Sequence, residues 1–308
     1  MTTEFSPEVA RAIAAAGLDP AYLRGLVDVA LNEDLGYGPD VTTAATVPME
    51  AEASAELNLR KPGTVAGVPF ALAVFDTVFS TTRDAWYGNG YQVLHQAADG
   101  TRLAAGESAL TLRGSTVALL VAERTALNLL THLSGIATAT AGWVDAVRGT
   151  GCAIRDSRKT LPGMRAAQKY AVRCGGGVNH RFGLGDAALI KDNHVIAAGG
   201  VAQALTAVRE YAPEVRREIE VDSLDQLDVV LGMAAEEVLL DNFTPEQCAE
   251  AVRRRDAAGV KTLLEASGGL TIAVAEDYAA TGVDYLSVGG LTHSASALDI
   301  GMDLALGQ

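Results

Sequence analysis

Four cations, Arg158, Lys159, Arg181 and Lys191, stand at the ends of short apolar runs, where a folded chain would bring them together. They belong to a basic island from Arg155 to Lys191, in which eight Lys/Arg face only Asp156 and Asp186. That island is strongly positive inside a chain whose net charge is −14. Arginine offers a planar fork that takes a carboxylate or phosphate through two hydrogen bonds, and lysine offers a compact point charge. Singly, each could be neutralised at the surface by Asp156, Asp186 or Asp192. Together, threaded through glycines, they point to a pocket for a small molecule carrying several negative charges.

Carboxylates and glycines complete the pattern. Glu220 and Asp241 each end a strand-like run and could hold a divalent cation, accept hydrogen bonds from sugar hydroxyls, or only balance the arginines. A magnesium ion held this way usually shares substrate phosphates with the protein. Ser267-Gly268-Gly269 and Gly289-Gly290 follow two later strands, and paired glycines let backbone N–H groups approach a phosphate. His180, between Asn179 and Arg181, could donate to a ligand carboxylate or move a proton. His194 has less beside it, and His95, His132 and His293 read as structural. No nucleophile elbow or Ser-His-Asp order is present, which disfavours acyl transfer.

These residues need a scaffold of strand ends. Beyond Gly151, six apolar runs (CAIRD, AALIKD, EIEVD, EVLLDN, TLLEAS and DYLSVGG) alternate with amphipathic stretches such as GMRAAQKYAVRC and PEQCAEAVRRRDA. Repeated βα units imply a parallel sheet. Polar groups at nearly every strand end favour an incomplete, six-stranded α/β barrel with its site on one rim. Before it, a helix near Pro20–Asn32, strands at Tyr91–Gln96 and Ser108–Arg113, and an Asp99-Gly100 turn suggest an α+β region. From Thr116 to about Arg148 the spacing turns helical, with Ser115 as a cap and Gly135 as a break. The expected domains are 1–128, joined by the tail 294–308, and a barrel over 129–293.

The acidic balance argues against nucleic acid, and no apolar run is long enough to span a bilayer. The start MTTEFSPEVARAIAAAG lacks a signal-peptide pattern, so the cytoplasm is expected. Cys152, Cys174 and Cys248 are odd in number and widely spaced, and read as free thiols.

At this point the chain resembles the quinolinate phosphoribosyltransferase family over nearly its full length. The matching blocks, in family order, are EDLGYGPDVTT, ERTALNLLTHLSGIAT, DSRKTLPGMR, GGGVNHRFGLGDAALIKDNH, EIEVDS, LLDNF, LEASGG and VDYLSVGGLTHSA. Ser157 stands where the family more often has threonine, and it keeps the hydroxyl. The resemblance implies phosphoribosyl transfer from 5-phosphoribosyl-1-pyrophosphate to quinolinate with loss of CO2, giving nicotinate mononucleotide for NAD synthesis. It implies that Arg158, Lys159, His180, Arg181 and Lys191 grip the quinolinate carboxylates and part of the sugar phosphate. Glu220 and Asp241 would meet the ribose hydroxyls and Mg2+, and Ser267, Gly268, Gly269, Gly289 and Gly290 the 5-phosphate. Lys159, Lys191, Glu220 and Asp241 would be the catalytic set. Arg124 would be lent across a homodimer to the partner's pocket. Alternatives are a paralogue of the same fold, of the molybdate-transport-associated type, acting on another ring, and a non-catalytic sensor of a phosphorylated metabolite.

Overall fold

The computed structural model describes residues 4–81 and 90–306. Its first half runs α1 (Pro7–Ala15), α2 (Pro20–Leu35), α3 (Val41–Thr46), β1 (Glu52–Leu59), β2 (Gly63–Thr64), α4 (Val68–Thr81), β3 (Tyr91–Gln96), β4 (Arg102–Leu103), β5 (Ser108–Ser115) and α5 (Thr116–Ala146). Then come β6 (Ala153–Arg155), α6 (Arg165–Cys174), β7 (Ala188–Ile190), α7 (Asp192–Ala198), α8 (Val201–Tyr211), β8 (Arg217–Val221), α9 (Leu224–Gly232) and β9 (Glu237–Asp241). The chain closes with α10 (Pro245–Ala258), β10 (Leu263–Ser267), α11 (Ala275–Ala279), β11 (Tyr285–Ser287), α12 (Gly290–His293) and β12 (Ile300–Leu306). Two units result. One holds the described residues within 1–139, 161–175 and 295–308, the other those of 140–160 and 176–294.

In the first unit an antiparallel sheet has the order β12-β1-β5-β3. Strand β1 alternates strictly, burying Ala53, Ala55, Leu57 and Leu59 between polar neighbours, which is the period-2 signature of a one-sided sheet. Ser6, Asp19 and Asp40 cap α1, α2 and α3 by accepting backbone N–H groups of the first turn. Helix α4 is buried on all sides from Val68 to Phe79, so no amphipathic period announces it. Asp99 accepts the Gly67 and Val68 N–H groups at its start, and Tyr170 donates to the same carboxyl at 2.6 Å.

Helix α5 departs from expectation at two residues. It passes through Gly135 without a break. The glycine is there because the chain at Ser296 and Ala297 lies against it, and a Cβ would meet Ala297 Cα at 2.9 Å. Ser115 does not cap the helix: it ends β5, and its Oγ is buried with no hydrogen-bond partner among the described residues. The domain edge expected at 128/129 therefore falls inside one continuous helix. Segment 161–175, expected with the barrel, packs in the first unit, as when Tyr22 OH donates to Gly163 O. Of the tail 294–308, Gly307 and Gln308 lie outside the described residues.

The second unit is built on six parallel strands in the order β6-β11-β10-β9-β8-β7. Among the described residues the edges β6 and β7 do not pair with each other, and an isolated parallel bridge joins Arg155 to Val178. This is the incomplete six-stranded α/β barrel, alongside an α+β domain, that the strand pattern anticipates. The thiols are free, with Cys152 and Cys248 buried and Cys174 half-buried. Among the described residues no helix is long and apolar enough to cross a membrane.

Candidate active site

The basic island divides between the units. Arg165, Lys169 and Arg173 lie on α6 in the first, while Arg155, Arg158, Lys159, Arg181 and Lys191 lie in the second. There, Asp156 ties two loops together. Its buried carboxylate accepts the His180 backbone N–H at 2.8 Å and Asn179 Nδ2 at 2.6 Å, fixing the loop of Arg158-Lys159 against that of His180-Arg181. Arg158 consequently lies close enough to Arg181 for their charges to interact. Burial and the neighbouring Arg158 charge both hold the Arg181 pKa below the usual guanidinium range. The Nε atoms of both arginines are buried without a hydrogen-bond partner among the described residues. Two guanidiniums forced together with donors left over form a site that an anion would relieve.

Across the strand ends lies the carboxylate side. Lys191 Nζ pairs with Glu220 Oε2 at 3.0 Å, and Asp241 sits close enough to Glu220 for its pKa to rise, first from burial and then from that charge, with Lys191 opposing. Asn242, in left-handed backbone at φ 56°, donates Nδ2 to Asp241 at 2.8 Å. Its backbone N–H donates to Ser267 O, which joins the ends of β9 and β10. Gly268 follows with φ 102°, where a Cβ would collide with Asn242 Oδ1. Lys159 lies beside Gly289, since a Cβ on that glycine would come within 2.9 Å of Lys159 Cδ. His194 Nδ1 accepts the Lys191 N–H at 2.9 Å and so shapes the start of α7.

Beneath these groups the barrel interior is charged. Glu218 and Glu237 face each other directly in register on β8 and β9, a repulsive pairing by itself. Arg155 resolves it by bonding Glu237 and, at 2.6 Å, Glu265, while Arg216 adds a second bond to Glu237. Burial lowers the Arg155 pKa, but Glu265 and Glu237 outweigh it and push the value up. Glu218 bonds His180 Nε2 at 2.6 Å, and burial, reinforced by Glu237, pushes its carboxyl up to about 8. A cavity of about 230 Å3 is lined by Arg155, His180, Arg181, Arg216, Glu218 and Glu237. Sequence reasoning singled out neither Glu218 nor Glu237. The available signal was the two-residue spacing of Glu218 and Glu220, which puts both on one strand face.

Residues 40–134 and 136–303 match the family models described as the N-terminal and C-terminal domains of quinolinate phosphoribosyl transferase. The chain belongs to this family. The nicotinate-nucleotide pyrophosphorylase [carboxylating] of Mycobacterium leprae is 57% identical over 281 residues, covering 91% of this chain and 96% of the relative. The Homo sapiens protein of the same name is 37% identical over 290 residues, covering 93% of each chain. Among solved structures, NadC from Streptococcus pyogenes superposes with a TM-score of 0.85 at 36% identity, covering 94% of this chain and 99% of the other.

In this quinolinate phosphoribosyl transferase fold, the expected residues of the second unit gather at the strand ends, with one qualification for His180. Both its ring nitrogens turn inward, Nε2 to Glu218 and Nδ1 to the Arg181 N–H at 2.7 Å. Arg124 lies in the first unit, exposed on α5. Glu220 and Asp241 are adjacent hard oxygen donors, and one Glu220 oxygen is already on Lys191. Two carboxylates make no complete cage, so they suit a Mg2+ that brings phosphate and water ligands with it.

Proposed function

We propose that this chain transfers the phosphoribosyl group of 5-phosphoribosyl-1-pyrophosphate to quinolinate, releasing pyrophosphate and CO2 and forming nicotinate mononucleotide. The observation that carries the reading is the pairing of Arg158 with Arg181 across the Asp156 clamp, both with buried, unused Nε donors. Two guanidiniums so placed match a planar ring bearing two carboxylates better than a ring bearing one. The names of the family models and relatives agree with this ring and do not favour the paralogue acting on another one.

In this reading Arg158, Lys159 and Arg181 hold the dianion, and Lys191 lies between the ring and the sugar. Glu220 and Asp241 sit under the ribose, where positive charge develops as pyrophosphate departs, and they stabilise it electrostatically. Ser267, Gly268, Gly269, Gly289 and Gly290 bind the 5-phosphate through backbone N–H groups. Bound with its substrate, Mg2+ supplies charge neutralisation for the leaving pyrophosphate. The quinolinate nitrogen attacks the sugar carbon and becomes a pyridinium. When the carboxylate beside that nitrogen leaves as CO2, the ring takes the electron pair, and a proton then replaces the lost group. No protein nucleophile is needed, and holding the two reactants in line supplies much of the rate. Arg124 completes the pocket of a second copy in a homodimer, and the enzyme works in the cytoplasm.

The test is product analysis with both substrates and Mg2+. Nicotinate mononucleotide, CO2 and pyrophosphate should form in equal amounts, and none should form when either substrate is omitted. Intact binding of 5-phosphoribosyl-1-pyrophosphate without turnover would refute the assignment and return the choice to the paralogue, tested with other rings, and the sensor.

A further inference from the structure

Glu218 belongs to none of the groups that would touch either substrate, yet it is almost fully buried and bonded to a residue of the anion loop. His180 Nδ1 accepts the backbone N–H of Arg181 at 2.7 Å, so the ring proton resides on Nε2, which points at Glu218 Oε2 at 2.6 Å. A chain of contacts thus runs from the β8 carboxyl through the imidazole to the Arg181 main chain. On the other side of the same residue, the His180 N–H of the preceding peptide is held by Asp156. Glu265 lies close to Glu218 and His180, but Arg155 already bonds it, and Arg155 and Arg216 occupy Glu237. Glu218 is therefore the carboxyl of this interior cluster that serves His180. With both ring nitrogens engaged, the cluster is a hydrogen-bonded relay and offers a cation no free imidazole nitrogen.

We propose that Glu218 is a positioning residue that, by accepting the His180 Nε2–H, locks the ring and thereby aims Arg181 at the ring carboxylates of the acceptor. The inference rests on the quinolinate reading of the site. Its effect should fall on acceptor binding more than on the phosphoribosyl side, because Ser267, Gly268 and Gly289 belong to the ends of β10 and β11 and not to β8. The conservative replacement Glu218→Gln keeps a carbonyl acceptor in the same place, whereas Glu218→Leu keeps the bulk and removes the acceptor.

The experiment combines steady-state kinetics with 15N NMR of the histidine ring. Wild type should show His180 as the neutral Nε2–H tautomer. Glu218→Leu should raise the quinolinate KM at least tenfold, leave the KM for 5-phosphoribosyl-1-pyrophosphate within twofold, and disturb the tautomer signal. Glu218→Gln should retain the tautomer and a quinolinate KM within threefold of wild type. A general loss of active protein, with both KM values unchanged in Glu218→Leu, would overturn the proposal, as would a Glu218→Gln variant behaving like Glu218→Leu. If Glu218→Leu does not fold, Glu218→Gln decides alone through its tautomer and KM. Absence of quinolinate turnover in wild type would defeat the functional reading, while the tautomer spectra would still judge the relay.

Discussion

Arg155→Met removes the cation that allows two glutamates to be buried together. In the wild type the Arg155 side chain is 4% exposed, Glu237 2% and Glu265 0%, so none of the three can be rescued by solvent. Arg216 still reaches Glu237 after the substitution, but from a half-exposed position, and Glu265 loses its ion-pair partner. Breaking a buried pair by removing one partner costs about 3–5 kcal/mol, because an uncompensated charge is left behind. Equilibrium urea denaturation of the variant should show a loss of that size. Adding Glu265→Gln to Arg155→Met should recover most of it, since the stranded charge disappears and the shape is kept. A single-variant loss below about 1 kcal/mol, the range of exposed pairs, would refute the view that this cluster is electrostatically closed.

Arg181→Ala should raise the quinolinate KM and lower kcat/KM by 100-fold or more, consistent with roughly 2–5 kcal/mol for truncating one partner of a buried charge pair; a change below threefold in steady-state kinetics would remove Arg181 from the site. Mixing inactive Arg124→Ala with inactive Lys191→Ala protein should restore activity through hybrid dimers, and exchange of subunits with no recovery would exclude a shared site. The Asp186 carboxyl accepts the Phe182 and Gly183 N–H groups at 2.6 and 2.7 Å, and these bonds, against the opposing effect of burial, hold its pKa below the usual range. Its contribution is complete above about pH 4, the ordinary aspartate value, and is lost as the pH falls through its depressed one. Hydrogen-exchange protection at Phe182 and Gly183, relative to the intrinsic rate at each pH, should fall only below that point, whereas in Asp186→Ala it should be low at every pH.

The catalytic half of the fold was legible because its strands are short apolar runs ending in charge, and longer helices between them, such as α8, α9 and α10, carry a buried apolar face or a cap such as Thr244. The first half was harder to read. Helix α4 is buried on every side, and an all-buried helix has no period to detect. Gly135 looks like a breaker in sequence, but only the tertiary approach of Ser296 and Ala297 explains it. The rim cations and carboxylates were readable from residue type and position. The interior network was not, because a glutamate inside a strand is ordinarily assigned to solvent. Only the Arg155 bridge and the strand register show why Glu218, Glu237 and Glu265 point inward. The His180 geometry was equally hidden, since sequence cannot say which way an imidazole turns.

The most direct test of the central claim compares quinolinate with nicotinate as acceptor under identical 5-phosphoribosyl-1-pyrophosphate and Mg2+. A site built to pair two carboxylates rejects a ring that offers one, because its buried cations are left unpaired. The account predicts that quinolinate is used at least about 100-fold more efficiently in kcat/KM, with one CO2 released per nucleotide formed. Equal use of nicotinate, or nucleotide formed from quinolinate without CO2, would contradict it.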